Sequence, residues 1–243
     1  MRGIISAGTM SPFLLLCVAG LSAIFSSTIS KSPVLPLFAS SLGADPATVG
    51  TIAAVSSFTG VLFSIPIGMF SDRMGRRTML FCSAFVFATA PFLYLFVARL
   101  WQLALVRFYH GLATAAFVPV AMALVADLSK EQRAQRMGWF STATLVGRFG
   151  APLAGGALIG FFVSRPSLGY NAVYMLCALA GVLALVLILR VGEPEKAPPR
   201  HRNWTETLAA LRDVLSNGAI LATSATEAAI LFADGTFETF LPL

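Results

Sequence analysis

The sequence predicts an all-α, polytopic membrane protein: a six-helix transmembrane bundle followed by one helix of an incomplete second bundle. Three observations carry this reading. First, apolar residues make up 57% of the 243 residues and charged residues only 12%, with a mean hydropathy of +0.80. A soluble domain of this size cannot cover its surface with so few charges. Second, no Asp, Glu, Lys or Arg occurs between Arg2 and Lys31, Asp45 and Asp72, Arg77 and Arg99, or Arg165 and Arg190. Each run lets a helix cross roughly 30 Å of hydrocarbon at about 1.5 Å per residue. Strands of a membrane barrel would need only about ten residues each and would alternate apolar with polar, which these runs do not. Third, the basic residues are distributed unevenly over the connections.

Taken in order, the spans read as 12–38, 47–70, 79–98, 101–126, 137–163, 170–190 and 217–243. The first runs on to Phe38, which argues against residues 1–23 as a cleaved leader with Arg2 as its basic start. The second, third and sixth are the uncharged runs themselves. The fourth and fifth each hold one arginine, Arg107 and Arg148, and the seventh holds three acids. Pro66, Pro91, Pro119 and Pro152 fall inside spans, where neighbouring helices re-satisfy the freed carbonyls. The domains follow: a bundle over 1–190, a linker over 191–216, and the first helix of a second bundle over 217–243.

The side holding residue 2 carries Arg2, Arg73, Arg76, Arg77, Lys130, Arg133, Arg136, Arg190, Lys196, Arg200, Arg202 and Arg212; the opposite side carries Arg99 and Arg165. This asymmetry places the amino terminus in the cytoplasm of a cell (inner or plasma) membrane. The net charge of +6 and the pI near 9.7 are therefore signals of topology. No aromatics interleave with the basic loops, so nucleic acid is not an expected partner. Cys17, Cys82 and Cys177 each fall within a span and read as small buried apolar residues, with neither disulfide nor metal-ligand spacing. No cofactor is expected.

Val191–Asn203 mixes charges with Pro194, Pro198 and Pro199, which reads as an exposed linker. Asn203 with Glu206 resembles a helix cap, and Trp204, Leu208, Leu211 and Leu215 recur at helical spacing opposite Glu206, Arg212 and Asp213. The pattern suggests a short helix on the inner membrane surface, with a solvated linker as the alternative. Val34-Leu35-Pro36-Leu37 recurs as Phe240-Leu241-Pro242-Leu243, and that register sets the seventh span against the first. Parallel six-helix repeats are one transporter plan. A second six-helix half, in cis or in trans, is thus an expected partner.

Three motifs carry chemistry. Gly68-Met69-Phe70-Ser71-Asp72-Arg73-Met74-Gly75-Arg76-Arg77 matches, without gaps, the G-x-x-x-D-R-x-G-R-R signature of the major facilitator superfamily. A purely topological basic turn explains its arginines but neither Asp72 nor the two glycines. Arg107-Phe108-Tyr109-His110-Gly111 resembles that family's R-x-x-Q-G motif with His110 in place of glutamine. Gly147-Arg148-Phe149-Gly150-Ala151-Pro152-Leu153-Ala154-Gly155-Gly156 resembles its antiporter motif G-x-x-x-G-P-x-x-G-G, with Ala151 where glycine is usual.

The resemblance implies a bundle of the major facilitator type, with Gly68, Asp72, Arg73, Gly75, Arg76 and Arg77 forming a cytoplasmic latch between two halves. By the same resemblance Asp72 and Arg73 are gate residues. Gly147, Ala151 and Gly155 form a close-packing face beside Pro152 and Gly156, and Ser56, Gly60, Ser64 and Gly68 form a second. Arg107 either faces a cavity or partner or snorkels to the outer interface; Arg148, near mid-membrane, calls for a cavity role or a carboxylate. His110 is either a proton carrier or a packing histidine. Glu227, Asp234 and Glu238 lie within roughly 40° of one another on a helix and form a candidate proton path. With Lys31, Arg107, His110 and Arg148, they define the expected substrate and proton pathway.

The function implied is a proton-coupled efflux antiporter of small organic compounds working by alternating access. The three cations favour an anionic or zwitterionic substrate. A uniporter or symporter for metabolites, or a non-transporting half-length partner, are the alternatives. No nucleophile–base pair, phosphate loop or metal cluster supports an enzyme.

Overall fold

The computed structural model describes residues 10–129, 131–192, 209 and 212–240. Its helices are α1 (Pro12–Ile29), α2 (Val34–Ser41), α3 (Pro46–Met74), α4 (Arg76–Tyr94), α5 (Leu100–Asp127), α6 (Arg133–Phe161), α7 (Pro166–Arg190) and α8 (Gly218–Phe240). Among the described residues, six stretches are long and apolar enough to cross a membrane, α1 and α2 together forming the first. The possible cap at Asn203 and Glu206, Trp204, Leu208 and Leu211, and most of the Phe240–Leu243 repeat lie outside the described residues.

Helix starts follow local chemistry. Ser11 caps α1 by accepting from the Leu14 N–H at 3.3 Å, with Pro12 at the first helical position. Asp45 caps α3 in the same way, accepting from the Thr48 N–H at 2.9 Å. These Thr48 hydrogen bonds hold the Asp45 carboxyl below its ordinary range. The cap's contribution is thus complete at neutral pH and is lost as pH falls through that lowered value. At the start of α5, Gln102 accepts from the backbone N–H groups of Ala98 and Arg99.

The first span differs from the unbroken helix expected over 12–38. α1 stops at Ile29 and α2 begins at Val34. Pro33 supplies no N–H and disfavours helical geometry at Ser32, and the Ser30 hydroxyl donates to the Ser27 carbonyl at 2.7 Å to close the end. Lys31 therefore sits in a break, half-buried, instead of on a helical face.

The bundle is sewn along a few seams. α4 packs along α7, α1 along α6, α3 along α5, and α5 and α7 join these pairs into one body. Leu16, Phe87, Phe117, Leu124, Phe140 and Ile188 belong to one buried cluster; Ile29, Val49, Tyr94, Leu103, Val173 and Tyr174 belong to a second. Polar side chains cross between helices where apolar packing alone would not fix register. The Ser26 hydroxyl donates to the Cys177 carbonyl at 2.9 Å while the Cys177 thiol donates to the Ser26 carbonyl at 3.0 Å. Ser83 donates to the Ala113 carbonyl at 2.8 Å.

Cys82 corrects one expectation. It is exposed, whereas Cys17 and Cys177 are buried, because α4 turns Leu80, Ser83 and Ala84 inward and leaves Phe81, Cys82 and Phe85 outside. The small-residue face expected on the second span is also only partly used. Ser56 is buried, but Gly60, Ser64 and Gly68 are not, and a Cβ on Gly60 or Gly68 would meet nothing within 4 Å. The reason is that α3 meets α5 through Ser56 and Thr59, where Gly111 lets the backbones approach.

Candidate functional site

The signature turn joins α3 to α4. Gly75 adopts φ +92°, a left-handed conformation that glycine takes without strain, and its N–H bonds back to the Ser71 carbonyl at 3.1 Å. From this turn Arg76 reaches α5, where its guanidinium pairs with Asp127 and donates to the Ala123 carbonyl. Arg77 donates to the Leu189 carbonyl at the end of α7 at 3.2 Å. Two successive arginines thus tie the turn to two other helix ends. Phe13 at the start of α1 lies under the Arg136 guanidinium at 5.2 Å. The start of α1, the turn at Gly75, the α5–α6 connection and the end of α7 therefore share one end of the bundle.

Asp72 itself lines a cavity of about 300 Å³ between α3 and α5, with Ser64, Gly68, Arg76, Pro119 and Ala123. Among the described ion pairs it makes none. Arg73 is exposed, and so is Gly68. The residue that the motif reading missed is Asp127, the carboxylate that holds Arg76. It stands at the last helical position of α5, and only the fold brings it to the turn.

The antiporter-like segment of α6 packs on α1. A Cβ on Gly147 would overlap the Leu21 carbonyl, Ala151 is fully buried, and a Cβ on Gly155 would stand 3.1 Å from Pro33 Cδ and 3.3 Å from Ile29 Cγ1. Pro152 is half-buried and Gly156 is open to the outside. Gly155 thus packs beside the break that holds Lys31. Arg148, the residue after Gly147, is half-buried.

The third group lies inside the bundle. Arg107 and His110 occupy one face of α5 and are both only 2% exposed, so Arg107 does not snorkel to the interface. Arg107 donates to the Ser56 hydroxyl on α3. The His110 Nδ1 lies 3.4 Å from the Tyr94 hydroxyl, with Phe87 edge-on to its ring at 5.4 Å. The Tyr94 ring stacks on Tyr174 of α7 at 4.4 Å and 3°. Neither tyrosine was a candidate from the sequence, since an isolated tyrosine in an apolar run carries no spacing signal.

Glu227 is exposed on α8 and makes no ion pair with Arg148 among the described residues. α8 touches the bundle at α2 and α3, where the Phe240 ring lies so close to Gly50 that a Cβ there would stand 3.1 Å from it. The backbone of Asp234 and Glu238 continues α8, and their side chains lie outside the described set. Among the described residues no group of three His, Cys, Asp or Glu side chains could hold a metal ion.

Comparisons with known proteins agree with this architecture. Multidrug resistance protein MdtG of Enterobacter lignolyticus is 30% identical over 223 residues, covering 87% of this chain and 50% of that protein. The multi-drug resistance efflux pump PmrA of Streptococcus pneumoniae is 29% identical over 185 residues, 71% of this chain and 45% of the pump. The chain spans about half the length of these relatives. A crystal structure of a bacterial homologue of the human lysosomal transporter Spinster, inward-facing and unoccupied, superposes with a TM-score of 0.75 at 21% identity, over 95% of this chain and 54% of that one. The family model of the Major Facilitator Superfamily matches residues 15–243. The chain, a multi-pass membrane protein with six spans among its described residues, belongs to the Major Facilitator Superfamily.

Proposed function

We propose that the protein is part of a secondary transporter that exports small organic compounds in exchange for protons by alternating access. The observation that carries this reading is the turn at Gly75, from which Arg76 reaches Asp127 and Arg77 reaches Leu189. Such a clasp ties one end of the bundle in one of two states, and breaking it releases that end. The relatives named as multidrug resistance and efflux proteins support export as the direction. The activity belongs to the complete transporter, in which a second six-helix half, in cis or in trans, faces this one.

In this reading the domains are the bundle to 190, the linker 191–216, and α8 as the first helix of that second half. Lys31, at the break in the first span, and Arg148, beside the α1–α6 seam, attract an anionic or zwitterionic substrate. Arg107 and His110 sit behind them. Proton coupling falls to the carboxylates of α8, because the six spans themselves hold none between Asp45 and Asp72, Asp72 and Asp127, or Glu131 and Glu193.

Transport by the complete gene product in everted vesicles tests this. Glu227→Gln is expected to retain substrate counterflow while losing acceleration by a proton gradient. Full gradient-driven export by that variant would remove Glu227 from the coupling role. A vesicle assay in which the parent shows counterflow but never responds to the gradient would instead establish a uniporter.

The orientation is the second proposal. The end bearing Gly75 faces the cytoplasm, because it collects the arginines of the turn, the α5–α6 connection and the end of α7. Single cysteines at positions 43 and 167 are expected to react with an impermeant thiol reagent added outside cells, and those at 75 and 132 only after permeabilisation. The opposite pattern would invert the topology.

A further inference from the structure

His110 stands where the family motif has glutamine, and the two side chains offer different hydrogen bonds. A glutamine amide carries its donors and its acceptor on separate atoms. A neutral imidazole has one nitrogen of each kind, and its neighbours decide which is which.

Arg107, three residues earlier on the same face of α5, can only donate. It donates to the Ser56 hydroxyl of α3 and also bonds the Tyr94 hydroxyl of α4. The Tyr94 oxygen is therefore an acceptor toward Arg107. Its single hydrogen is left for its other neighbour, His110 Nδ1 at 3.4 Å. Nδ1 then accepts, so it is bare, and the ring hydrogen sits on Nε2. Ring packing holds the pair in place. Tyr94 lies flat on Tyr174, with centroids 4.4 Å apart and 3° between the planes, and Phe87 stands edge-on to the imidazole at 5.4 Å. Tyr94 is 1% exposed and His110 2%, so bulk water does not compete for Nδ1.

Nε2 is buried and has no hydrogen-bond partner among the described residues. An unpaired N–H in a dry site is destabilising and calls for a reason. With Nδ1 taken by Tyr94, His110 has no bare nitrogen left to receive a proton. What it holds ready is a donor, and a carboxylate or carbonyl oxygen is the group that fits a donor.

We propose that Tyr94 is a positioning residue for His110. It holds the imidazole as the Nε2–H tautomer, so that His110 serves as a hydrogen-bond donor to a substrate oxygen and not as the carrier of the exchanged proton. This rests on the reading of Arg107 and His110 as residues of the transport pathway, and it decides between the two roles that the sequence leaves open to His110.

Nitrogen NMR of the purified full chain with isotope-labelled histidine tests the assignment. The chain has two histidines, so His201→Gln leaves His110 as the sole signal. A protonated Nε2 and a bare Nδ1 are expected. Tyr94→Phe keeps the ring and removes the hydroxyl; it is expected to lower the ratio of Nε2–H to Nδ1–H about tenfold, the equivalent of one hydrogen bond. A merely structural Tyr94 would leave that ratio unchanged, and this result overturns the proposal. A protonated Nδ1 in the parent, with or without a protonated Nε2, overturns it as well. If Tyr94→Phe does not fold, through-bond coupling from the Tyr94 hydroxyl proton to Nδ1 in the parent decides by its presence or absence. The role is tested with carboxyfluorescein, an anionic dye, as the probe in vesicles holding the complete gene product. His110→Phe is expected to raise the KM for the dye about tenfold while export keeps its acceleration by a proton gradient. Loss of that acceleration, or an unchanged KM, overturns the donor role. A parent that does not move the dye counts against the export reading alone, and the spectra still decide the part played by Tyr94.

Discussion

Gly181→Ala is expected to be the most damaging single-atom change in the bundle. A Cβ on Gly181 would overlap the Phe87 carbonyl and stand 3.0 Å from the Ala88 nitrogen. Those atoms are backbone of α4, so no side chain can swing aside. Relief requires α7 to back away from α4 along the seam that also holds Ala84, Phe87 and Ile188. Overpacking of this kind costs about 1–3 kcal/mol, and an immovable backbone puts it at the upper end. Folded, monodisperse protein should fall severely by size-exclusion chromatography, with a lower melting temperature in what remains. Gly156→Ala supplies the contrast, since its Cβ meets nothing within 4 Å, and that variant should match the parent. Equal behaviour of the two variants would mean that α4 and α7 are not packed as described.

Arg76→Ala is expected to slow transport about tenfold or more while leaving the protein folded. Its guanidinium is tied to Asp127 and to the Ala123 carbonyl. The ion pair is partly solvated, with side chains 27% and 42% exposed, and its share is discounted accordingly. The charged hydrogen bond to the carbonyl adds roughly 1.5–3 kcal/mol. A tie of about 1.4 kcal/mol present in only one conformation changes the ratio of two conformations tenfold. Export by the complete gene product is the measurement, with Arg73→Ala as control because Arg73 is exposed and makes no comparable tie among the described residues. If Arg73→Ala is the slower variant, the clasp is not at Arg76.

The spans were legible because lipid imposes a coarse rule: long uncharged runs have few alternatives. Helix ends at Pro12, Pro46 and Pro166 follow from proline at the first turn. The break at Ser30–Pro33 was harder to read, because Val34–Phe38 is as apolar as what precedes it and only the short Ser30-Lys31-Ser32-Pro33 stretch marks the interruption. The three motifs were legible as strings, but what each residue touches was not. Asp127 ends α5, 51 residues from Arg76 and well past the Arg107–Gly111 motif, and nothing local ties the two. Tyr94 and Tyr174 stack only because α4 and α7 pack together. Gly181 sits in a featureless run, Ala180-Gly181-Val182, with no partner glycine at a repeating interval. Conversely, the regular spacing of Ser56, Gly60, Ser64 and Gly68 suggested a packing face of which only one end is used.

The seams described above distribute mechanical compliance unevenly through the bundle. α1, α4, α5 and α7 brace one another through multiple partners and through the Ser26–Cys177 and Ser83–Ala113 bonds. α3 is fastened mainly to α5, at Gly111, and α6 mainly to α1, at Gly147 and Gly155. A helix held along one small-residue seam slides or rolls on that seam with little side-chain interdigitation to undo. The four braced helices thus behave as a stiff chassis, and α3 and α6 as two sprung arms. Both arms also carry motif residues: α3 leads into the turn at Gly75, and α6 carries Arg148 beside its own seam. Load applied at either place is absorbed first by the arms, and the hydrogen bond from Arg107 to Ser56 of α3 carries any movement of that arm into the polar cluster.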